Sequence, residues 1–145
     1  MHIALTERMP DCDVLVMSAA VADAKPQISS SEKIKKIDFN SIDLIATDDI
    51  LADLSSSAKD SQLIVGFAAE TSNIEESGRS KLKAKDLDFI YVNDVSNGAI
   101  FASEFSAGFL INSEGKSTQI EQTSKAKVAR IILDNVVSRL SYANG

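Results

Sequence analysis

Four separated segments hold the residues best suited to chemistry. They are Ser18-Ala19-Ala20-Val21-Ala22-Asp23, Glu32-Lys33-Ile34-Lys35-Lys36, Val65-Gly66-Phe67-Ala68-Ala69-Glu70-Thr71 and Lys81-Leu82-Lys83-Ala84-Lys85-Asp86. Together they supply small side chains that let a ligand approach the backbone, a carboxylate, an aromatic ring and a group of lysines. Ammonium groups make strong, charge-assisted hydrogen bonds to phosphate oxygens. The inventory therefore suits a small, heavily phosphorylated ligand. Lys81 and Lys85 stand four apart, so a helix there puts both on one face. Each feature also has a plainer use. The lysine pair can be a solvated helix face, Lys33 to Lys36 a solvating loop, Asp23 a turn residue and Phe67 a core ring.

Much other chemistry is disfavoured by composition. The single histidine, His2, lies at the terminus, which argues against histidine base catalysis and His-rich metal sites. Cys12 is the lone cysteine, so no internal disulfide forms; its place before an apolar run suits a buried small hydrophobe. The six glycines stand apart, and neither GxGxxG nor GxxxxGK[ST] occurs, so any phosphate is held without those loops. An ordinary dinucleotide-binding domain is disfavoured for the same reason. A net charge of −6 disfavours a nucleic-acid or anionic-membrane partner, although lysine clusters still act at short range. No apolar run approaches the ~20 residues of a membrane span, and no signal pattern opens the chain. A cytoplasmic location is the expectation.

The elements that must position these residues follow from pattern. Asp13 to Ser18, Gln62 to Phe67 and Asp88 to Val92 are short apolar runs, as expected of buried parallel strands. Ile42 to Ala46 reads as a further strand. Thr47 is a good N-cap, with Asp48 and Asp49 in the first turn of a helix to about Lys59. Residues 24–36, with Pro26 and three serines, read as a loop carrying Lys33, Lys35 and Lys36. Ile74 to Leu87 reads as a charged helix. Ala107 to Asn112 and Ser117 to Glu121 read as an antiparallel hairpin around Ser113-Glu114-Gly115-Lys116. Residues 124–142 form an amphipathic helix with Val128, Ile131, Ile132, Asn135 and Val136 near one face. The sum is one α/β domain: a mostly parallel, Rossmann-like sheet flanked by helices, with a C-terminal hairpin and a long last helix. Ligands bind beyond the carboxyl ends of such parallel strands. Asp23, Thr47, Phe67 and Asn93 all fall at or just after predicted strand ends.

Six segments in order resemble the phosphopantothenate–cysteine ligase family, the synthetase half of the bacterial bifunctional coenzyme A biosynthesis protein. They are Ala19 to Asp23, Glu32 to Lys36, Asp49 to Ala52, Val65 to Thr71, Lys81 to Lys85 and Val92 to Val95. The likeness covers about residues 11 to 140. It implies a two-step reaction with CTP as co-substrate and Mg²⁺ as its cation. The carboxylate of 4′-phosphopantothenate attacks the α-phosphate of CTP, pyrophosphate leaves, and the amine of cysteine attacks the acyl-cytidylate. By resemblance, Lys33 stabilises charge on the acyl phosphate, and its loop closes as a lid. Lys81 and Lys85 hold CTP phosphates, Asp23 takes the ribose hydroxyls, and Phe67 lines the nucleotide pocket. Thr47, Asp48, Asp49 and Ile50 contact the cytosine, largely through backbone groups, and Ala19 and Ala20 pack near the pantothenate. A homodimer and a decarboxylase domain in the parent protein are implied as well.

Two departures from the family pattern shape the expectation. The N-terminal glycine-rich strand–turn–helix, a Ser-Ser-Gly-Lys segment and an asparagine contacting the acyl intermediate have no counterpart in Met1 to Pro10. The chain is thus expected to be a synthetase-like domain without its first strands, weakly active or inactive alone. Its alternative role is a non-catalytic dimerisation and nucleotide-binding module, in which the hairpin and last helix form the dimer surface. The second departure is Thr47-Asp48-Asp49 in place of Asn-Pro-Asp. Threonine offers one hydroxyl where asparagine both donates and accepts, which alters how the base is read.

Overall fold

The computed structural model describes residues 1–30, 32, 41–96 and 103–143. Lys33, Lys35 and Lys36 lie outside the described residues, so the acyl-phosphate role expected of Lys33 has no geometry here. A helix α1 (His2–Arg8) and a 3₁₀ turn (Met9–Asp11) lead into β1 (Val14–Met17). Then come β2 (Ala24–Pro26), β3 (Leu44–Ala46), α2 (Ile50–Ser56), β4 (Leu63–Glu70), α3 (Ile74–Ala84) and β5 (Phe89–Asp94). The chain closes with β6 (Phe105–Asn112), β7 (Ser117–Ser124) and α4 (Lys125–Ala143).

The main sheet has the order β1-β4-β5-β6-β7. β1, β4 and β5 pair in parallel, while β5–β6 and β6–β7 are antiparallel. β6 alone therefore runs against the other four. This is the α/β, mostly parallel sheet with a C-terminal hairpin that the pattern predicts. The apolar runs of β4 and β5 are buried on both faces because strand side chains alternate. Ile64, Ile90, Val92 and Ile111 pack with Leu54 of α2 and Leu82 of α3 on one face. Leu63, Val65, Phe89, Tyr91 and Leu110 pack with Val128, Ile132 and Val136 of α4 on the other. Each such fully buried side chain contributes about 1.5–3 kcal/mol before entropy is counted.

Several local expectations change. β3 is not part of the parallel sheet; it pairs antiparallel with β2 in a separate two-stranded ribbon whose six residues are all exposed. Part of the expected 24–36 loop is therefore strand. Helix α2 ends at Ser56 rather than near Lys59, and Asp49, not Thr47, caps it by accepting from the Ala52 N–H at 3.1 Å. Asn135 is exposed, its amide donating to the Ile131 carbonyl at 2.8 Å, so the buried stripe of α4 skips it. Cys12 is half-buried rather than fully enclosed.

Polar ties hold the ends of the sheet. Gln62, 7% exposed, donates from Nε2 to the carbonyls of Met9 and Cys12 at 2.5 and 2.6 Å, fastening the N-terminal turn to the start of β4. Ser55 donates to the Asp86 carbonyl at 2.5 Å, joining α2 to the bend after α3. That bend needs a left-handed residue, and Asp86 adopts φ 51°. At Gly115 the hairpin turn requires φ 84°, a conformation glycine takes without steric cost.

Candidate functional site

A cleft of ≈ 1000 Å³ opens at the carboxyl ends of β1 and β4. Ala19 and Ala20 follow β1 and are exposed at its wall; their methyl side chains leave the backbone approachable. Asp23 and Thr47 lie side by side at the same end of the β2–β3 ribbon, and two hydrogen bonds tie Thr47 to Ala22 and Asp23. The Thr47 N–H donates to the Asp23 carbonyl at 3.0 Å, and the Thr47 hydroxyl donates to the Ala22 carbonyl. The hydroxyl proton of Thr47 is thus committed to holding the ribbon, not offered to a ligand. Asp48, Asp49 and Ile50 continue the wall into α2.

Phe67 projects from β4 on the face shared with Val65, toward α4, and is 36% exposed. It meets the ring of Tyr91 edge-on, with centroids 5.9 Å apart. Lys81 and Lys85 approach from the opposite face, on α3 and at its C-cap. The structure therefore brings Ala19, Ala20, Asp23, Thr47, Asp48, Asp49, Ile50, Phe67, Lys81 and Lys85 to one cleft.

Both lysines are engaged by carboxylates. Lys81 Nζ lies 2.5 Å from Glu70 Oε1, and Lys85 Nζ lies 2.9 Å from Asp49 Oδ2. The hydrogen bond from Lys81, then one from Ser77, hold the Glu70 carboxyl below the usual carboxylate range. Burial pushes Asp49 up, but hydrogen bonds from Lys85 and the Ala52 N–H, with the Lys85 charge, outweigh it and leave that carboxyl low. Asp49 thus caps α2 and anchors Lys85 at once. Glu70, the partner of Lys81, stands in one of the four segments, but its role could not be read from the sequence. It stands eleven residues before Lys81, across the β4–α3 turn, and only the fold makes them neighbours.

Tyr91, Asn93 and Ser106 also face the cleft from the α4 side. Asn93 was legible as a strand-end residue; Ser106 carried no sequence signal. Among the described residues, no three His, Cys, Asp or Glu side chains gather to hold a metal ion. Among the described residues, no helix is long and apolar enough to cross a membrane.

Residues 1–140 match the family described as DNA/pantothenate metabolism flavoprotein C-terminal domain. The chain belongs to this family. It is 37% identical over 153 residues to the coenzyme A biosynthesis bifunctional protein CoaBC of Mycolicibacterium smegmatis, covering 98% of this chain and 37% of that protein. The chain thus spans about a third of the length of that relative. Among solved structures, the C-terminal domain of a coenzyme A biosynthesis bifunctional protein CoaBC superposes with TM-score 0.76 at 31% identity, over 97% of this chain and 61% of that one. The Cab2 mutant H337A in complex with phosphopantothenate-cysteine superposes with TM-score 0.66 at 16% identity, over 96% of this chain and 49% of that one. At that identity the likeness concerns the fold alone.

Proposed function

We propose that this chain forms the CTP-binding domain of a phosphopantothenate–cysteine ligase acting in coenzyme A biosynthesis. The observation that carries the reading is the convergence of ten expected site residues, from four separated stretches of chain, on one cleft at strand carboxyl ends. Membership in a family whose relatives bear coenzyme A biosynthesis names supports the pathway.

In this reading Lys81 and Lys85 exchange their carboxylate partners for CTP phosphates. Their charge offsets the negative charge that builds as pyrophosphate leaves the α-phosphate. Asp23 accepts from the ribose hydroxyls, and Phe67 bounds the base and sugar. Thr47 acts by tying the ribbon to the wall, so contact with cytosine falls to the backbone of residues 48–50. Ala19 and Ala20 leave room for the pantothenate. Mg²⁺ enters with the triphosphate and neutralises part of its charge. Lys33 is proposed to stabilise the acyl phosphate. The chain is proposed to act as a homodimer within a larger protein that carries a decarboxylase domain, in the cytoplasm.

Calorimetric titration with CTP, and with ATP as control, both with Mg²⁺, tests the reading. Saturable binding that favours CTP is expected. A second reading, a dimerisation module with a vestigial site, rests on the carboxylate count: Asp23, Asp48, Asp49 and the Lys81 partner Glu70 outnumber Lys81, Lys85 and Lys125 in the described part of the site. Binding of neither nucleotide, with a stable dimer by sedimentation, would favour it.

A further inference from the structure

The α4-facing wall of the cleft carries a hydrogen-bond chain that the nucleotide reading does not use. Tyr91 is 3% exposed and Ser106 9%. Tyr91 Oη and Ser106 Oγ lie 2.7 Å apart, and Ser106 Oγ donates to Asn93 Oδ1 at 2.7 Å. Tyr91 and Asn93 are two apart on β5 and so share a face. Ser106 is brought to them by β6, whose pairing with β7 shifts register between Ser106 and Gly108. Such irregularities re-aim side chains. Gly108 permits the close approach: a Cβ there would lie 2.0 Å from the Val92 carbonyl oxygen.

Counting protons gives the chain a direction. A serine hydroxyl has one proton, and Ser106 gives it to Asn93. The Tyr91 hydroxyl must then donate to Ser106. Reversing the amide would turn its NH₂ toward Ser106 and leave one of two buried hydroxyl protons with no acceptor in the chain, which is costly. The carbonyl end of Asn93 is therefore consumed. Its NH₂ end, with two donors, is left for the cleft that Asn93 lines, beside Phe67 and Tyr91.

We propose that Ser106, backed by Tyr91, is a positioning residue that locks the Asn93 carboxamide as a fixed donor to an acceptor on the base-and-sugar part of the bound nucleotide. The inference rests on the nucleotide reading above. The base-and-sugar part is favoured because Phe67, Tyr91 and Asn93 share the α4 face, whereas Lys81 and Glu70 meet on the α3 face. A triphosphate held by Lys81 and Lys85 leaves the rest of the nucleotide between residues 48–50 and Asn93, which line the same cleft.

The test compares CTP with inorganic triphosphate, both with Mg²⁺, on this chain and its Ser106→Ala and Ser106→Thr variants. Ser106→Ala should weaken CTP about five- to tenfold and leave triphosphate affinity unchanged, and Ser106→Thr should restore CTP binding. Equal loss for both ligands, or no loss for either, overturns the proposal. A second measurement needs no ligand: ¹⁵N relaxation of the Asn93 side-chain amide. It should report a rigid NH₂ group in the wild type and fast motion in Ser106→Ala; equal mobility in both overturns the lock. Where Ser106→Ala does not fold, Tyr91→Phe, which removes the hydroxyl that orients Ser106, should give a smaller CTP-selective loss, and its absence overturns the relay. Failure of the wild type to bind either ligand overturns the nucleotide reading and the ligand assigned to Asn93, while the relaxation result still decides the lock.

Discussion

Lys81 and Lys85 each start with a carboxylate partner, so a phosphate in the proposed site would bind by exchange, and the exchange sets the sign of two substitutions. Lys81→Gln removes the ammonium outright. A hydrogen bond to a charged group contributes about 1.5–3 kcal/mol, and the lost Glu70 contact offsets part of that. CTP affinity should fall about tenfold by calorimetry. Glu70→Gln removes the competitor and should tighten CTP binding a few-fold. Apo stability should drop by no more than about 0.5 kcal/mol, because the Lys81 side chain is 44% exposed and such pairs are screened. Equal weakening by both substitutions would mean that Glu70 orients Lys81 rather than competing for it. The Glu70 carboxyl is held low in the folded state by Lys81 and Ser77. Its contribution is therefore complete above the unfolded carboxylate pKa and is lost as pH falls through the depressed folded value. The difference in thermal stability between wild type and Glu70→Gln should be present at pH 7 and vanish in strong acid.

At the scale of elements, α2 and α3 hold the charged wall in place, and each has a weak point. Asp49 is the N-cap of α2 and the partner of Lys85. Asparagine caps as well as aspartate, whereas alanine does not. Asp49→Ala should cost about 1 kcal/mol in urea denaturation, and Asp49→Asn should keep most of that while freeing Lys85. Equal destabilisation by the two would assign the effect to the ion pair instead. Gly78 sits where α3 crosses the sheet; a Cβ there would lie 2.5 Å from Val92 Cγ2 and 2.9 Å from Ile111 Cδ1. Alanine is usually the better helix former, yet Val92 is fully buried and stiff. Gly78→Ala should therefore destabilise by about 1–3 kcal/mol and shift Lys81 and Lys85 with the helix, weakening CTP as well. These elements were unevenly legible in sequence. β1, β4, β5, the hairpin and α4 announce themselves because buried strands need unbroken apolar runs and α4 needs a stripe. The β2–β3 ribbon does not, since it is short, fully exposed and contains Pro26. Thr47-Asp48-Asp49 offers three capping residues in a row, and the choice of Asp49 depends on the Thr47 hydroxyl being drawn to the Ala22 carbonyl. The types of residue at the cleft could be read, but their pairing could not. Lys81 meets Glu70 and Lys85 meets Asp49 across elements, and Ser106 reaches Asn93 from the neighbouring strand.

At the scale of the molecule, one sheet joins the two apolar clusters, and the cleft lies at its end. β4 and β5 contribute to both clusters through alternate side chains, so neither cluster can dissolve without exposing the other face. Unfolding should be a single cooperative transition, as is usual for a domain of this size. Tyr91 reports on it from inside, because it belongs to the α4-side cluster and also lines the cleft. The near-ultraviolet signal of the tyrosines and the far-ultraviolet helix signal should melt together; separate midpoints would show that the two faces unfold independently. A ligand that binds only the folded chain then stabilises the whole of it. CTP with Mg²⁺ at about 100 times its dissociation constant should add about 2.7 kcal/mol. For a domain of this length that corresponds to a rise in Tm of roughly 10 °C. The net charge of −6 opposes a free triphosphate at long range, while Lys81 and Lys85 act only nearby. Omitting Mg²⁺ should therefore shrink the rise, and raising ionic strength without Mg²⁺ should partly restore it by screening the repulsion. A rise of equal size with and without Mg²⁺ would mean that the lysines alone balance the triphosphate and that the metal has no part in binding.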